Sequence, residues 1–428
     1  MTELKKQKLD PCGREAAVDL FKDLLRFKTI SVEGPKGEYA RCCEFLKTKC
    51  EELIPGCDAE IIEPVKSKPI VLVKVPGTDP SLKGILLNSH YDVVPVMREH
   101  WDVDPWEAVE KDGKIYGRGT QDMKCVCAQY ILAVARMVRN NKVELDRTIY
   151  LSFVPDEEIG GADGMSALIS CEQFKSIKDN VGIALDEGLA NTSEKFTVFY
   201  GERVPLWVTI TANGPTGHGS RFIADTAVEK LIRMANKALE VRRAEEKRLG
   251  HSDHGCKHSE AKKLGEVMSL NLTVLQAGVS CDGGKTFSNN VIPTVAKAGF
   301  DIRVPPEKPL AQVREMLDEW TSENGMSWKF DTPDPGNNHY TTPIDESNPW
   351  WGKFKSACDV AKITLETEIF PAATDSRFLR ECGLPAFGFS PMNNSPILLH
   401  EHNEYLDKEV FLNGIGIYET VLSEIARK

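Results

Sequence analysis

No stretch of this 428-residue chain approaches the roughly 20 consecutive apolar residues that cross a bilayer. The first residues, MTELKKQKLDPCGREAAVDLF, carry charge but no apolar core followed by small residues, so they do not read as a secretory signal. Cysteine is sparse. Twelve are scattered without the dense spacing of a secreted disulfide scaffold, which predicts reduced thiols and a cytoplasmic protein. Basic charge is in deficit, 53 Lys and Arg against 64 Asp and Glu for a net charge of −11, and this disfavours nucleic acid as a partner. Internal repeats and low-complexity tracts are absent as well.

What is present is an ordinary globular composition, 41% hydrophobic and 27% charged, at a length that favours two domains over one. Apolar β-rich runs stand at 70–77 (IVLVKVPG), 84–94 (GILLNSHYDVV), 148–155 (TIYLSFVP) and 181–188 (VGIALDEG). A helix is expected from just after Asp122 to about Arg139. Such alternation predicts an α/β domain, a mostly parallel mixed sheet flanked by helices, with ligands bound beyond the carboxyl ends of the strands. After about residue 199 the pattern becomes strand, helix, strand, strand, helix, which predicts a smaller inserted α+β domain. The expected division is 1–199 and 332–428 for the main domain and 200–331 for the insert. Two polar segments, 251–263 and 280–290, read as exposed loops. The three histidines and one cysteine of the first invite a metal interpretation, but no rigid frame accompanies them.

Chemistry-bearing residues fall at strand ends. In SHYDVVP, His90 and Asp92 lie two apart, so both point to one face, where a carboxylate can hold an imidazole in one tautomer. In YGRGTQDMK, a Gly-rich turn delivers Asp122 to a helix start, either as an N-cap or as a carboxylate bridging two metals. In VPDEEIGG, Glu157 and Glu158 are neighbours, and in an extended chain they would point opposite ways, one to a metal and one to water. Asp186 and Glu187 end an apolar strand, and His400 and His402 follow apolar Ile397, Leu398 and Leu399. Each piece alone has an ordinary structural explanation. Together, two histidines and several carboxylates make an oxygen-and-nitrogen donor set for two zinc ions, which can polarise a carbonyl and activate water near neutral pH.

These motifs resemble the co-catalytic zinc peptidases and amidohydrolases, a family that includes carboxypeptidase G and succinyl-diaminopimelate desuccinylase. Within it the resemblance is greatest to the members that deacylate N-acyl-L-amino acids. It extends through REHWDVDPWEA, ALDEGLAN, FTVFYGER, SNPWW, PAATDSRF and GFSPMNNSPILLHEHNE. The resemblance implies two zinc ions per subunit: one at His90 and Glu187, the other at Glu158 and His400, with Asp122 between them. It implies Glu157 as general base, taking a proton from water and passing it to the leaving amine, and Asp92 orienting His90. It further implies a cis bond at Asp122–Met123 and a dimerisation (lid) role for the inserted domain. In a homodimer His218 would reach the partner subunit's site to stabilise the oxyanion. Asn290 and Arg303 would hold the carboxylate of a small-molecule substrate, with Asn289 an alternative to Asn290.

Three other functions compete. A dipeptidase or carboxypeptidase could use the same zincs. A glycosidase would use two of the carboxylates but leaves His90 and His400 unexplained. A non-catalytic binding protein on this frame would not need Glu157.

Overall fold

The computed structural model describes residues 10–140, 145–249, 264–336 and 338–428. The segment 251–263 lies outside them. In chain order the strands begin with β1 (Asp58–Val65), β2 (Lys68–Val75), β3 (Gly84–His90) and β4 (Val109–Lys111). They continue with β5 (Lys114–Tyr116), β6 (Ile149–Val154), β7 (Val181–Asp186), β8 (Phe196–Glu202) and β9 (Val204–Asn213). Next come β10 (Gly217–His218), β11 (Ser269–Ala277), β12 (Val291–Ile292), β13 (Val295–Val304) and β14 (Met326–Phe330). The last are β15 (Leu365–Phe370), β16 (Ala386–Phe389) and β17 (Tyr405–Asp407).

The chain separates into two compact units. The first takes the chain up to Tyr200 with Thr342–Glu368 and Thr374–Lys428; the second is Gly201–Thr341 with Ile369–Ala373. The second thus runs past residue 331 and recruits a short segment from the returning chain.

The first unit is built on an eight-stranded sheet in the order β1-β2-β6-β3-β7-β16-β8-β15. The neighbours β6, β3, β7 and β16 pair in parallel, while β1, β2 and β8 join antiparallel. Strands β3, β6 and β7 are buried along their whole length, as central parallel strands covered on both faces must be. Alternate residues feed opposite cores. Ile85, Leu87, Leu151 and Leu185 point to one, and Leu86, Tyr150 and Ala184 to the other. The helix Lys124–Arg139 lies in the larger core and is buried from Lys124 to Ala135. The carboxyl ends of β3, β6 and β7 deliver His90, the segment after Val154, and Asp186 with Glu187 to one edge of the sheet.

In the second unit the sheet order is β11-β13-β9-β14, all antiparallel. Strand β9 buries Leu206, Val208, Ile210 and Ala212 on one face, the period-2 pattern of a sheet covered on one side. These residues pack with Leu231 and Met234 of the helix Ala227–Arg248 and with Val313 and Leu317 of the helix Leu310–Trp320. The longer helix begins with a capping box between Thr226 and Glu229. Among the described residues no helix is long and apolar enough to cross a membrane.

Candidate metal centre

Two groups of donor atoms stand side by side in the first unit: His90, Glu157 and Glu187 in one, and Asp122, Glu158 and His400 in the other. Within each group the donor atoms lie within 4.8 Å of one another. Asp122 joins the groups. Its Oδ1 is 3.1 Å from His90 Nε2 and its Oδ2 is 3.2 Å from His400 Nε2. Glu187 Oε2 lies 3.7 Å and Glu157 Oε2 4.0 Å from His90 Nε2, and Glu158 Oε2 is 2.9 Å from His400 Nε2.

Local structure explains the convergence. Strand β3 ends at His90, whose Nδ1 is 3.0 Å from the Asp92 carbonyl oxygen. A carbonyl only accepts, so Nδ1 carries the proton and Nε2 is the donor atom left for a metal. The Asp92 carboxylate lies 3.4 Å from the same nitrogen and accepts the amides of Glu157 and Glu158 at 3.2 and 3.3 Å. One residue therefore ties His90 to both glutamates.

The glutamates are not in an extended chain. They sit in a 3-10 turn, Glu157–Ile159, entered through Asp156 at φ +64°. That turn, rather than strand alternation, sends one carboxylate to each donor group. Asp156 is held in its left-handed conformation by a hydrogen bond from Tyr39 (2.7 Å) and an ion pair with Lys68, all three nearly or wholly out of water. Gly119, at φ +89°, turns the chain toward Asp122; a Cβ there would sit 2.9 Å from Val93. The helix cap is Met123, so the Asp122 carboxylate faces the histidines instead of capping. The Asp122–Met123 bond is trans, against expectation.

Charge supports a metal. Four buried or half-buried carboxylates stand together with the buried His90 and the exposed His400, and burial pushes Glu157 and Glu187 far above the carboxylate range and Glu158 up to about 7. Burial alone would lower His90, but Glu187, Asp122 and Asp92 around it hold it well above its usual value. Hydrogen bonds to Asp122 and Glu158 raise His400 to about 10. Burial would raise Asp122, yet its two histidine contacts keep it below its usual value. Uncompensated buried carboxylates cost several kcal/mol each. Glu158 Oε1 is buried without a hydrogen-bond partner. A surplus of oxygen donors, an orphaned one among them, with two imidazoles and no thiolate, fits two divalent cations of the zinc type.

Further buried groups support this centre, and of these only Asp186 had stood out in the sequence. Glu404 binds the loop that carries Asp122, and Arg118 binds Glu404 at 2.8 Å. Asp186 accepts from Asn88 and Ser376. Asp375 is 1% exposed, and neither of its carboxylate oxygens has a hydrogen-bond partner. Glu404 follows His400 by four residues and Asp156 precedes the glutamate pair, so proximity in sequence was a usable signal for both. Lys68 offered none.

His218, Asn290 and Arg303 belong to the second unit. His218 on β10 pairs with Val291 on β12, and the Gly219 amide bonds the Asn290 carbonyl at 2.8 Å, which makes His218 and Asn290 neighbours. Both are exposed, and the preceding segment 280–290 is an exposed loop knotted around Asp282. Arg303 on β13 gives Nε and Nη2 to the carboxylate of Asp301 at 2.7 and 3.0 Å.

The profile of peptidase family M20/M25/M40 matches residues 86–424, a span that contains both donor groups. Aminoacylase-1 of Dictyostelium discoideum is 50% identical over 410 residues, covering 95% of this chain and 97% of that protein. Aminoacylase-1 of Mus musculus is 44% identical over 418 residues, covering 97% of each. Among solved structures, the M20 family metallo-carboxypeptidase Sso-CP2 from Sulfolobus solfataricus superposes with a TM-score of 0.70 at 18% identity, over 96% of this chain and 99% of that one. The YXEP protein of Bacillus subtilis, a dinuclear metal-binding peptidase of family M20, gives 0.63 at 15% identity over 97% and 98%. With the family match spanning both donor groups and near full-length relatives, the chain belongs to peptidase family M20/M25/M40.

Proposed function

We propose that this protein is a two-zinc amidohydrolase that cleaves N-acyl-L-amino acids, typically N-acetylated ones with neutral side chains such as methionine, to a carboxylate and the free amino acid. The observation that carries the proposal is Asp122 lying between two imidazole–carboxylate sets. The near full-length identity to aminoacylase-1 supports the substrate class.

His90 and Glu187 would hold one ion and Glu158 and His400 the other, with Asp122 shared. Bound zinc would supply Lewis acidity at the scissile carbonyl and lower the pKa of the attacking water. Glu157 is the residue left to handle protons. It accepts one from the attacking water and returns it to the amide nitrogen as the C–N bond breaks, so the amine leaves neutral. Asp92 fixes His90 through its carbonyl and steadies Glu157 through the amide it accepts.

In this proposal the second unit is an inserted dimerisation domain and the protein a cytoplasmic homodimer. His218 donates to the developing oxyanion in the partner subunit's site, a contribution of about 3 kcal/mol. Its exposure in the single chain accords with that role. Asn290 and Arg303 receive the substrate carboxylate, Arg303 through the part of its guanidinium that Asp301 does not engage.

The test is hydrolysis of N-acetyl-L-methionine, beside a panel of dipeptides, before and after chelation and after zinc is restored. Activity on the acyl amino acid that disappears and returns is expected. Cleavage of dipeptides alone would overturn the substrate, and silence on both would overturn the enzyme.

A further inference from the structure

Glu404 is wholly buried and its carboxylate bonds none of the side-chain donor atoms of either group, yet five N–H donors surround it or its backbone carbonyl. Oε1 accepts the amide of Gln121 at 2.7 Å and more distantly that of Asp122 at 3.4 Å. Oε2 accepts the Gly119 amide at 3.0 Å and Nη1 of Arg118 at 2.8 Å. The Glu404 carbonyl accepts the Gly117 amide at 3.1 Å. The loop that presents the shared Asp122 is thus wrapped around one side chain from the segment that presents His400.

The clamp is double. Arg118, fixed by Glu404, gives Nη2 to the carbonyl of His400 at 3.3 Å. His400 itself sits at φ +62°, a conformation non-glycine residues rarely adopt without help. Gln121 completes the tie, with Nε2 on the carbonyls of Pro396 and Tyr405 at 3.0 and 2.9 Å and Oε1 accepting the Leu398 amide at 3.0 Å. Burying a carboxylate is costly, and four N–H donors with a guanidinium among them offset part of that cost.

We infer that Glu404 is a positioning residue for the metal centre. By holding the Arg118–Asp122 loop against the segment before and after His400, it sets the spacing at which Asp122 and His400 converge on one ion. This inference rests on the two-metal assignment above. Glu404 touches neither substrate nor metal, so its effect is transmitted through the ligands it places. The His90, Glu157 and Glu187 donors hang from β3, β6 and β7 and do not depend on it directly. Its loss should therefore be felt first at the ion held by Glu158 and His400.

The experiment is zinc titration of the full-length protein against a competing chelator, with metal counting and thermal unfolding of the metal-free form. The wild type should hold two zinc ions. Glu404→Gln keeps shape but replaces an acceptor with a donor facing N–H groups. It should weaken one ion 10–100-fold, leave the other within a few-fold, and lower kcat with little change in KM. Gln121→Ala, which removes three ties and no charge, should shift the same ion in the same direction by less, and decides the matter if the Gln variant does not fold. Unchanged zinc affinities in a folded variant would overturn the inference. So would equal weakening of both ions accompanied by a drop in the melting temperature of the metal-free protein, because that is loss of fold and not of placement. A wild type that fails to hold two ions would instead defeat the two-metal assignment itself.

Discussion

His90 and His400 share one carboxylate: each Nε2 lies just over 3 Å from a different oxygen of Asp122. The two histidines come from opposite ends of the sequence, one at the end of β3 and the other in the loop before β17. A carboxylate that faces two imidazoles in this way could be shared by two cations that the same imidazoles would hold.

Glu157→Gln should remove the proton acceptor while leaving both ions bound. Turnover is expected to fall about 10²–10⁴-fold with two zinc ions still counted per chain. Loss of an ion would mean that Glu157 is a ligand and that its roles and those of Glu158 are exchanged.

The Tyr39–Asp156–Lys68 cluster anchors the turn that carries both glutamates. Tyr39→Phe should cost about 1.5–3 kcal/mol of stability, the worth of a hydrogen bond to a buried charge. Lys68→Met leaves Asp156 buried without its cation and should cost roughly 3–5 kcal/mol. Denaturant unfolding of the metal-free proteins measures both, and a loss below 0.5 kcal/mol in each would show that the cluster does not hold the turn.

Asp375 titrates out of place. Burial, and secondly the nearby Asp186, raise it from 3.8 to about 8. A carboxyl with a raised folded pKa binds a proton that the unfolded chain has already released, so its contribution to stability is lost as pH climbs from about 4 to about 8. In the metal-free protein, Asp375→Asn should flatten that decline and exceed the wild type by roughly 1–3 kcal/mol above pH 8. Parallel pH–stability curves for the two proteins would contradict this origin of the slope.

If His218 works in the partner subunit's site, two dead variants can repair each other. His218→Ala and Glu157→Gln should each be nearly inactive. Dissociated and reassembled in equal amounts, they should recover about a quarter of wild-type activity, since half the dimers are mixed and each of those has one intact site. No recovery in verified mixed dimers would place His218 in its own chain's site or outside catalysis.

Legibility followed distance along the chain and kind of contact. The parallel strands were readable because burial on both faces leaves continuous apolar runs, as in IYLSFV of β6. His90 and Glu187 stood out because strand ends expose polar residues just after such runs, whereas Asp122 lies in the turn before a helix and His400 in a loop, so a strand-end pattern does not account for them. The conformation of Glu157 and Glu158 was not, since it depends on Asp156 being pinned at positive φ by Tyr39 and Lys68 from distant elements. Glu404 stood close to His400 in the sequence, but its role was hidden for the same reason. Its meaning lies in backbone amides of a loop nearly three hundred residues earlier, which leave no mark on the side-chain pattern. Strand β1, an edge strand with a single buried residue, carried too little apolar pattern to be seen.

The most direct measurement is anomalous diffraction at the zinc edge from crystals of the zinc-loaded protein. The account predicts two peaks per chain, one beside His90 and Glu187 and one beside Glu158 and His400, with Asp122 in contact with both. A single peak, or ions seated away from Asp122, would contradict it.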